Sequence, residues 1–171
     1  DAQTGLKAAR VPGRMDQLIQ QNGAHVYVDY AHNYLSLKTL LAFAKSEHPK
    51  GRVIVVLGSP GNKAISRRHD FGKVLSETAD VVFLTADDPA FEDPQKIADE
   101  IAEAITNEEL LIHYEMDRPA AIEQALTEST AEDSVVIAGK GVDPYQKING
   151  EDVLYEGDYA IVKRLIEEKQ L

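Results

Sequence analysis

Apolar positions along this chain alternate between two rhythms. Unbroken runs of strand length, Val53–Leu57, Val81–Leu84 and Ser134–Ala138, suit strands buried on both faces of a sheet. Between them, apolar residues return every three or four positions. Leu37, Leu40, Leu41 and Ala44 predict a helix over 33–46, stopped by Pro49. Ile97, Ile101 and Ile105 predict a helix over 94–106. Ala121, Ile122, Ala125 and Leu126 predict another, from an Asp117 N-cap to about residue 128. Further helices are expected near 67–77 and 158–169. Asn22-Gly23 is a hairpin-turn pair between Arg14–Gln20 and His25–Asp29. Leu110–Tyr114 is a further strand, and 145–155 reads as a short hairpin or loop.

Strands and helices alternate throughout, which predicts one α/β domain. The expected fold is open, three-layered and Rossmann-like. It has a mostly parallel sheet of about six strands, helices on both faces and an N-terminal antiparallel hairpin. Ligands of such folds bind beyond the carboxyl ends of the strands. The chain's unusual residues lie there: Asp29, Gly58–Lys63, Asp87–Ala90 and Gly139–Asp143.

Composition narrows the partners. The 171 residues carry a net charge of −11, which argues against nucleic acid and anionic membrane. No cysteine is present, which excludes disulfides, thiol catalysis and cysteine-ligated metal. No apolar run approaches the ~18 residues of a membrane span, and no secretory leader pattern opens the chain. A cytoplasmic protein is expected. It starts at Asp1 and not Met, as a processed chain or a piece of a longer one would. The charge is uneven: 11 basic against 5 acidic groups over 1–76, and 2 against 17 over 77–133. The acidic block suits solvated helix faces, and the basic first part suits an anionic ligand.

Each strand-end loop has a chemical and a structural reading. Asp29 could hold ribose hydroxyls or a cation, with His32 as a base or ring partner; alternatively Asp29 or Asn33 caps a helix. Gly58–Lys63 with Arg67 and Arg68 could cradle a carboxylate or phosphate, or be a solvated turn. It is not a Walker A loop, since no G-x-x-x-x-G-K-[ST] occurs. Asp87 and Asp88 could bind a metal or an ammonium, or form an Asp-Pro turn. Gly139 and Gly141 allow a ligand close to the backbone, with Lys140 adding charge, or they simply shape a loop.

Taken in order, Pro12-Gly13-Arg14-Met15, Asp29-Tyr30-Ala31-His32, Asp87-Asp88-Pro89, Asp117-Arg118 and Ala138-Gly139-Lys140-Gly141 with Tyr145-Gln146 resemble the C-terminal domain of the Mur ligases. The resemblance covers most of the chain. Within the family it is strongest to the branch that adds a diamino acid to UDP-MurNAc-L-Ala-D-Glu. It implies residues 1–10 as residual linker and 11–171 as the amino-acid-binding domain, with the UDP-binding and ATPase domains upstream and absent here. It implies a bacterial carbon–nitrogen ligase of peptidoglycan synthesis. ATP phosphorylates the acceptor carboxylate, the amine attacks the acyl phosphate, and Mg2+, bound mainly by the central domain, stabilises charge. Alone, the fragment is expected to be inactive, with no catalytic residue and no metal ligand of its own.

The same resemblance implies site roles. Arg14 and Asp29 reach towards ATP, with His32 and Asn33 beside them. Lys63 takes the place of the family's pocket arginine for the α-carboxylate, without its bidentate fork. Where diaminopimelate enzymes read Asp-Asn-Pro-Arg, this chain has Asp87-Asp88-Pro89-Ala90. Ala90 removes the grip on a distal carboxylate, and Asp88 favours a cationic end. Asp143 aligns with the glutamate of the family's Gly-Lys-Gly-His-Glu motif, and Gly139 lines the same pocket. Together these imply L-lysine, with ornithine or another diamino acid as the nearby alternatives. The rival readings are a folylpolyglutamate synthase C-terminal domain, a phospho-receiver built on Asp29, Thr85 and Lys140, and a plain nucleotide-binding module.

Overall fold

A computed structural model describes residues 11–171. The residues expected to form a linker, 1–10, lie outside the described part. Six strands form one sheet: β1 (Asp16–Ile19), β2 (His25–Asp29), β3 (Val53–Leu57), β4 (Val81–Leu84), β5 (Leu111–Tyr114) and β6 (Ser134–Ala138). Their spatial order is β1-β2-β6-β3-β4-β5. All neighbours are parallel except β1 and β2, the expected hairpin. Tyr145–Ile148 (β7) and Glu151–Leu154 (β8) form a separate antiparallel hairpin.

Five helices cover the sheet: α1 (Tyr34–Glu47), α2 (Ser66–Thr78), α3 (Pro94–Glu103), α4 (Arg118–Glu128) and α5 (Asp158–Lys169). The buried strands alternate their side chains between two cores, as the pleat requires. Val53, Val55, Leu57, Val82, Leu84 and Val136 pack under α1, α2 and α3. Val26, Val28, Ile54, Val56, Phe83 and Ile137 pack under α4 and α5. The three-layer architecture expected from the alternation is therefore present.

Caps set the helix starts. Asn33 accepts from Ser36 N in a reciprocal capping box, while Asp93 and Asp117 accept from Gln95 N and Ala120 N. One end differs from expectation. The apolar period carries to Ile105, but α3 stops at Glu103. Ala104 N and Ile105 N bond three residues back, and Thr106 N is captured by Ser76 Oγ of α2 at 2.9 Å. A tertiary hydrogen bond overrides the local period.

Candidate functional site

The parallel topology gathers the loops after β2, β3, β4 and β6 at one edge, together with the turn that precedes antiparallel β1. That turn is Gly13-Arg14-Met15. Asp29 holds it: its carboxylate accepts from Met15 N at 2.8 Å and from Ala31 N at 2.7 Å. Asp29 is buried and acts on the backbone, so it fixes where Arg14 stands. The Arg14 guanidinium lies 5.8 Å from the centre of the Tyr30 ring. Asn33 Oδ1 is occupied by its helix cap, leaving its amide N–H groups as donors. His32 Nδ1 sits 2.8 Å from Tyr30 O. A carbonyl only accepts, so Nδ1 is the donor and Nε2 is the ring nitrogen left without this contact. A groove of about 500 Å³ opens beside Asp29 and Asn33, walled by Met15, Leu35, Leu40 and Phe43.

Tyr30 is a site residue that charge and spacing do not single out. A Cβ at Gly13 or Gly141 would come within 2.4 or 2.8 Å of the Tyr30 ring. Both glycines have positive φ. Tyr30 Oη also accepts from Val142 N at 3.2 Å. The ring thus joins the Arg14 turn to the 139–143 loop. Glycines in both strand-end motifs are the available signal for a close-packed ring.

Lys63 is exposed, flanked by Asn62 and Ala64 with φ of 58° and 53°. Of the three cations read as a possible anion cradle, Arg68 is not available. It is 1% exposed and pairs with Glu92 and Glu100, each at 2.6 Å. Its place on α2 explains this: Arg68 shares the buried stripe of Phe71, Gly72 and Leu75.

The acids meet around Lys140. Its ammonium, 1% exposed, lies 2.8 Å from Asp88, 3.3 Å from Asp143 and 4.0 Å from Asp87. The structure brings Asp88 and Asp143 together about the chain's own cation. Burial works to raise the Asp88 pKa; the Lys140 ammonium, Lys147 N–H and the field of Lys63 hold it below the usual carboxylate range. Asp87 behaves oppositely. Burial pushes it up, more than Arg118 and Lys140 pull it down. Gly139 lies against it, since a Cβ there would come 2.8 Å from Asp87 Oδ2. Beneath, Arg118 and Asp158 form a fully buried bidentate pair at 2.8 Å. Arg118 also donates to Ala86 O and Ala138 O, tying the ends of β4 and β6.

The β7–β8 hairpin backs the Asp88 loop. Ala90 N donates to Lys147 O, Lys147 N to Asp88 Oδ1, and Gln146 Nε2 to Asp87 O. A second groove, of about 280 Å³, opens beside Ala90. Arg118 is the one cation among its lining residues, and it is engaged with Asp158. Among the described residues no three His, Asp or Glu stand as a metal-binding group. The receiver arrangement is not assembled: Asp29 bonds backbone N–H groups, Lys140 pairs with Asp88 and Asp143, and Thr85 Oγ1 is buried without a partner.

Comparison with known proteins agrees with this geometry. The chain is 57% identical, over 99% of its length, to the UDP-N-acetylmuramoyl-L-alanyl-D-glutamate–L-lysine ligase of Enterococcus faecalis, and covers 33% of that protein. It is 54% identical, over 98% of its length, to the UDP-N-acetylmuramyl-tripeptide synthetase of Ligilactobacillus salivarius, again covering 33%. It therefore spans about a third of these relatives. A solved UDP-N-acetylmuramoyl-L-alanyl-D-glutamate–2,6-diaminopimelate ligase superposes over 96% of this chain and 33% of its own, with a TM-score of 0.84 at 30% identity. A bifunctional folylpolyglutamate synthase/dihydrofolate synthase of Yersinia pestis, over 98% of this chain and 33% of its own, reaches a TM-score of 0.61 at 22% identity, a likeness of fold. The family model for the Mur ligase glutamate ligase domain matches residues 13–141, from the glycine under Tyr30 to the glycine above it. By that match, and by a sheet edge that assembles its motifs, the chain belongs to the Mur ligase family.

Proposed function

We propose that residues 11–171 are the C-terminal, amino-acid-binding domain of an ATP-dependent bacterial ligase that adds L-lysine to UDP-MurNAc-L-Ala-D-Glu. The UDP-binding and ATPase parts then belong to the remaining two thirds of the protein. The observation that carries lysine over diaminopimelate is the Ala90 groove. A distal carboxylate there meets no unpaired cation in the lining, because Arg118 is bound to Asp158. Asp88 and Asp143 do not line this groove, but on the neighbouring loops their side chains are 28% and 38% exposed, where a distal ammonium would meet them. Lys140 approaches both acids from the buried side. Its contacts demonstrate that a single ammonium spans the two carboxylates. The names of the relatives from Enterococcus and Ligilactobacillus support the same reading.

In this reading Lys63 holds the α-carboxylate, and Gly139 lets the substrate lie close to the backbone. ATP, when bound, supplies the phosphoryl group that activates the acceptor carboxylate. Arg14, His32 and the Asn33 amide would hold the nucleotide beside the Asp29 groove, whose apolar wall suits a flat base. Asp29 acts by keeping Arg14 in register. Mg2+, when bound, would stabilise the charge that develops on the phosphoryl group, held mainly by the rest of the enzyme as the family resemblance implies. The fragment then binds and positions the amino acid but does not ligate it. Amino-acid-dependent ligation by the full-length protein tests this: lysine is expected to be preferred, and a preference for meso-diaminopimelate would overturn the assignment.

A further inference from the structure

The two ends of the proposed amino-acid site lie on different loops. Lys63 is on the segment 58–65 after β3, and Asp88 is on 85–93 after β4. Several bonds join these segments into one layer. Gly61 N donates to Asp88 O at 2.8 Å, and Phe91 N to Asn62 Oδ1 at 2.9 Å. The approach is so close that a Cβ on Gly61 would lie 1.8 Å from Pro89 O. Glu92 completes the joint. Its Oε2 accepts from Asn62 N and from Arg68 Nη2, both at 2.6 Å. Arg68 reaches the first loop too, through Pro60 O at 3.3 Å.

These loops carry unusual backbone. Asn62 and Ala64 flank Lys63, and Ala90 follows Asp88 by two residues; all three have φ between 53° and 58°. Non-glycine residues persist in that region only where their surroundings hold them. Glu92 and Phe91 hold Asn62 in this way, and Lys147 O holds Ala90.

We infer that Glu92, held by Arg68, is a positioning residue that fixes Lys63 relative to Asp88 and thereby selects the diamino acid by its length. The inference rests on the roles proposed above for Lys63 and Asp88. Lysine and ornithine differ by one methylene, and a rigid pocket discriminates such a pair by about 10–200-fold. A joint that loosens by about 1 Å loses that discrimination.

Glu100 supplies the control. It pairs with Arg68 at 2.6 Å from α3, and it bonds neither loop. It also keeps the buried guanidinium paired when Glu92 is removed. The experiment measures steady-state kinetics of the full-length ligase with lysine, ornithine and ATP. Glu92→Ala is expected to raise the lysine KM at least tenfold and cut the lysine-over-ornithine ratio of kcat/KM at least fivefold. The ATP KM should stay within twofold. Glu92→Gln, which keeps an acceptor for Asn62 N, should recover most of both losses. Glu100→Ala should stay within twofold of wild type. Should Glu92→Ala fail to fold, Asn62→Gly deletes only the Phe91 bond, keeps the left-handed backbone, and should lower the same ratio at least twofold. An unchanged ratio in Glu92→Ala, or an equal loss in Glu100→Ala, overturns the inference. A wild-type enzyme that ignores lysine instead overturns the reading of the site itself.

Discussion

At the amino-terminal ends of β3 and β6, Asp133 is 2% exposed and accepts four hydrogen bonds. They come from Arg52 N, Arg52 Nη2, Thr130 N and Thr130 Oγ1, at 2.8 to 3.1 Å. Asp80 similarly receives Val53 N at 2.8 Å. At the carboxyl ends of the same sheet, Asp87, Asp88 and Asp143 share Lys140. Two buried hydroxyls there, Ser59 Oγ and Thr85 Oγ1, have no partner. Met15, Asn62, Ala64 and Ala90 all hold positive φ at that end. One end surrounds the buried Asp133 with four donors. The other gathers more charge than it neutralises, on strained backbone. That contrast fits the site proposed at the carboxyl edge.

The same substitution at each end should break the comparison most visibly. Asp133→Ala leaves Arg52 N and Thr130 N without acceptors. It should cost about 3 kcal/mol in urea unfolding, from two unmet backbone donors. Asp88→Ala removes a partly exposed acid and leaves Lys140 with Asp143. It should cost about 1 kcal/mol of stability, yet lower lysine kcat/KM of the full-length enzyme by about 100-fold, the size of a lost charge-assisted contact. Equal stability losses would remove the distinction between the ends.

Much of the fold is legible in the order of residues alone. Val53–Leu57, Val81–Leu84 and Ser134–Ala138 are strands because their runs are apolar on both faces, and both helical layers follow their stripes. Asn33 and Asp117 cap as their positions suggest. The loops carrying Arg14, Asp29, Asp88, Gly139 and Asp143 converge because every strand but β1 runs parallel. Charge alone misleads at Arg68. Helical phase corrects it, since Arg68, Arg118 and Asp158 each begin a buried stripe three residues before an apolar or small one. Their partners are not legible in this way. Arg118 and Asp158 lie 40 residues apart and meet only because α4 and α5 share a face. The pairing of Lys140 with Asp88 likewise depends on strand order, which periodicity does not encode.

Titration should sharpen the contrast. Burial alone would raise Asp133, but the Arg52 and Thr130 donors hold its pKa below the ordinary 3.8. The folded carboxylate is then harder to protonate than the unfolded one. Its stabilisation is complete above the unfolded value and is lost as pH falls through the folded one. Asp87 has the opposite sign, because burial raises it. Its ionisation costs stability at neutral pH, and that cost is relieved as pH falls through the raised value. Asp87→Asn should therefore stabilise the protein at neutral pH, and by less as pH falls through the raised value. Asp133→Asn should destabilise at pH 7, with an effect that shrinks below pH 4. Urea midpoints across this range check both signs.

The smallest effect concerns backbone strain. Ala64 holds φ of 53°, where a Cβ costs about 1–2 kcal/mol. Ala64→Gly relieves that cost but enlarges the unfolded ensemble, which offsets about 0.4–1 kcal/mol. The balance is a stabilisation of up to about 1.6 kcal/mol. Ala79, at the opposite end, has a relaxed φ of −78° and is 3% exposed. Ala79→Gly carries the same entropy cost, relieves nothing and loses a buried methyl, so it should destabilise by about 1–2 kcal/mol. The two variants are the same chemical change with opposite expected sign. Denaturation midpoints of both, with an unchanged m-value, would locate the strain at the ligand edge. A destabilised Ala64→Gly would mean instead that the Ala64 methyl makes contacts worth more than its dihedral costs, and that this edge differs from the other in charge alone.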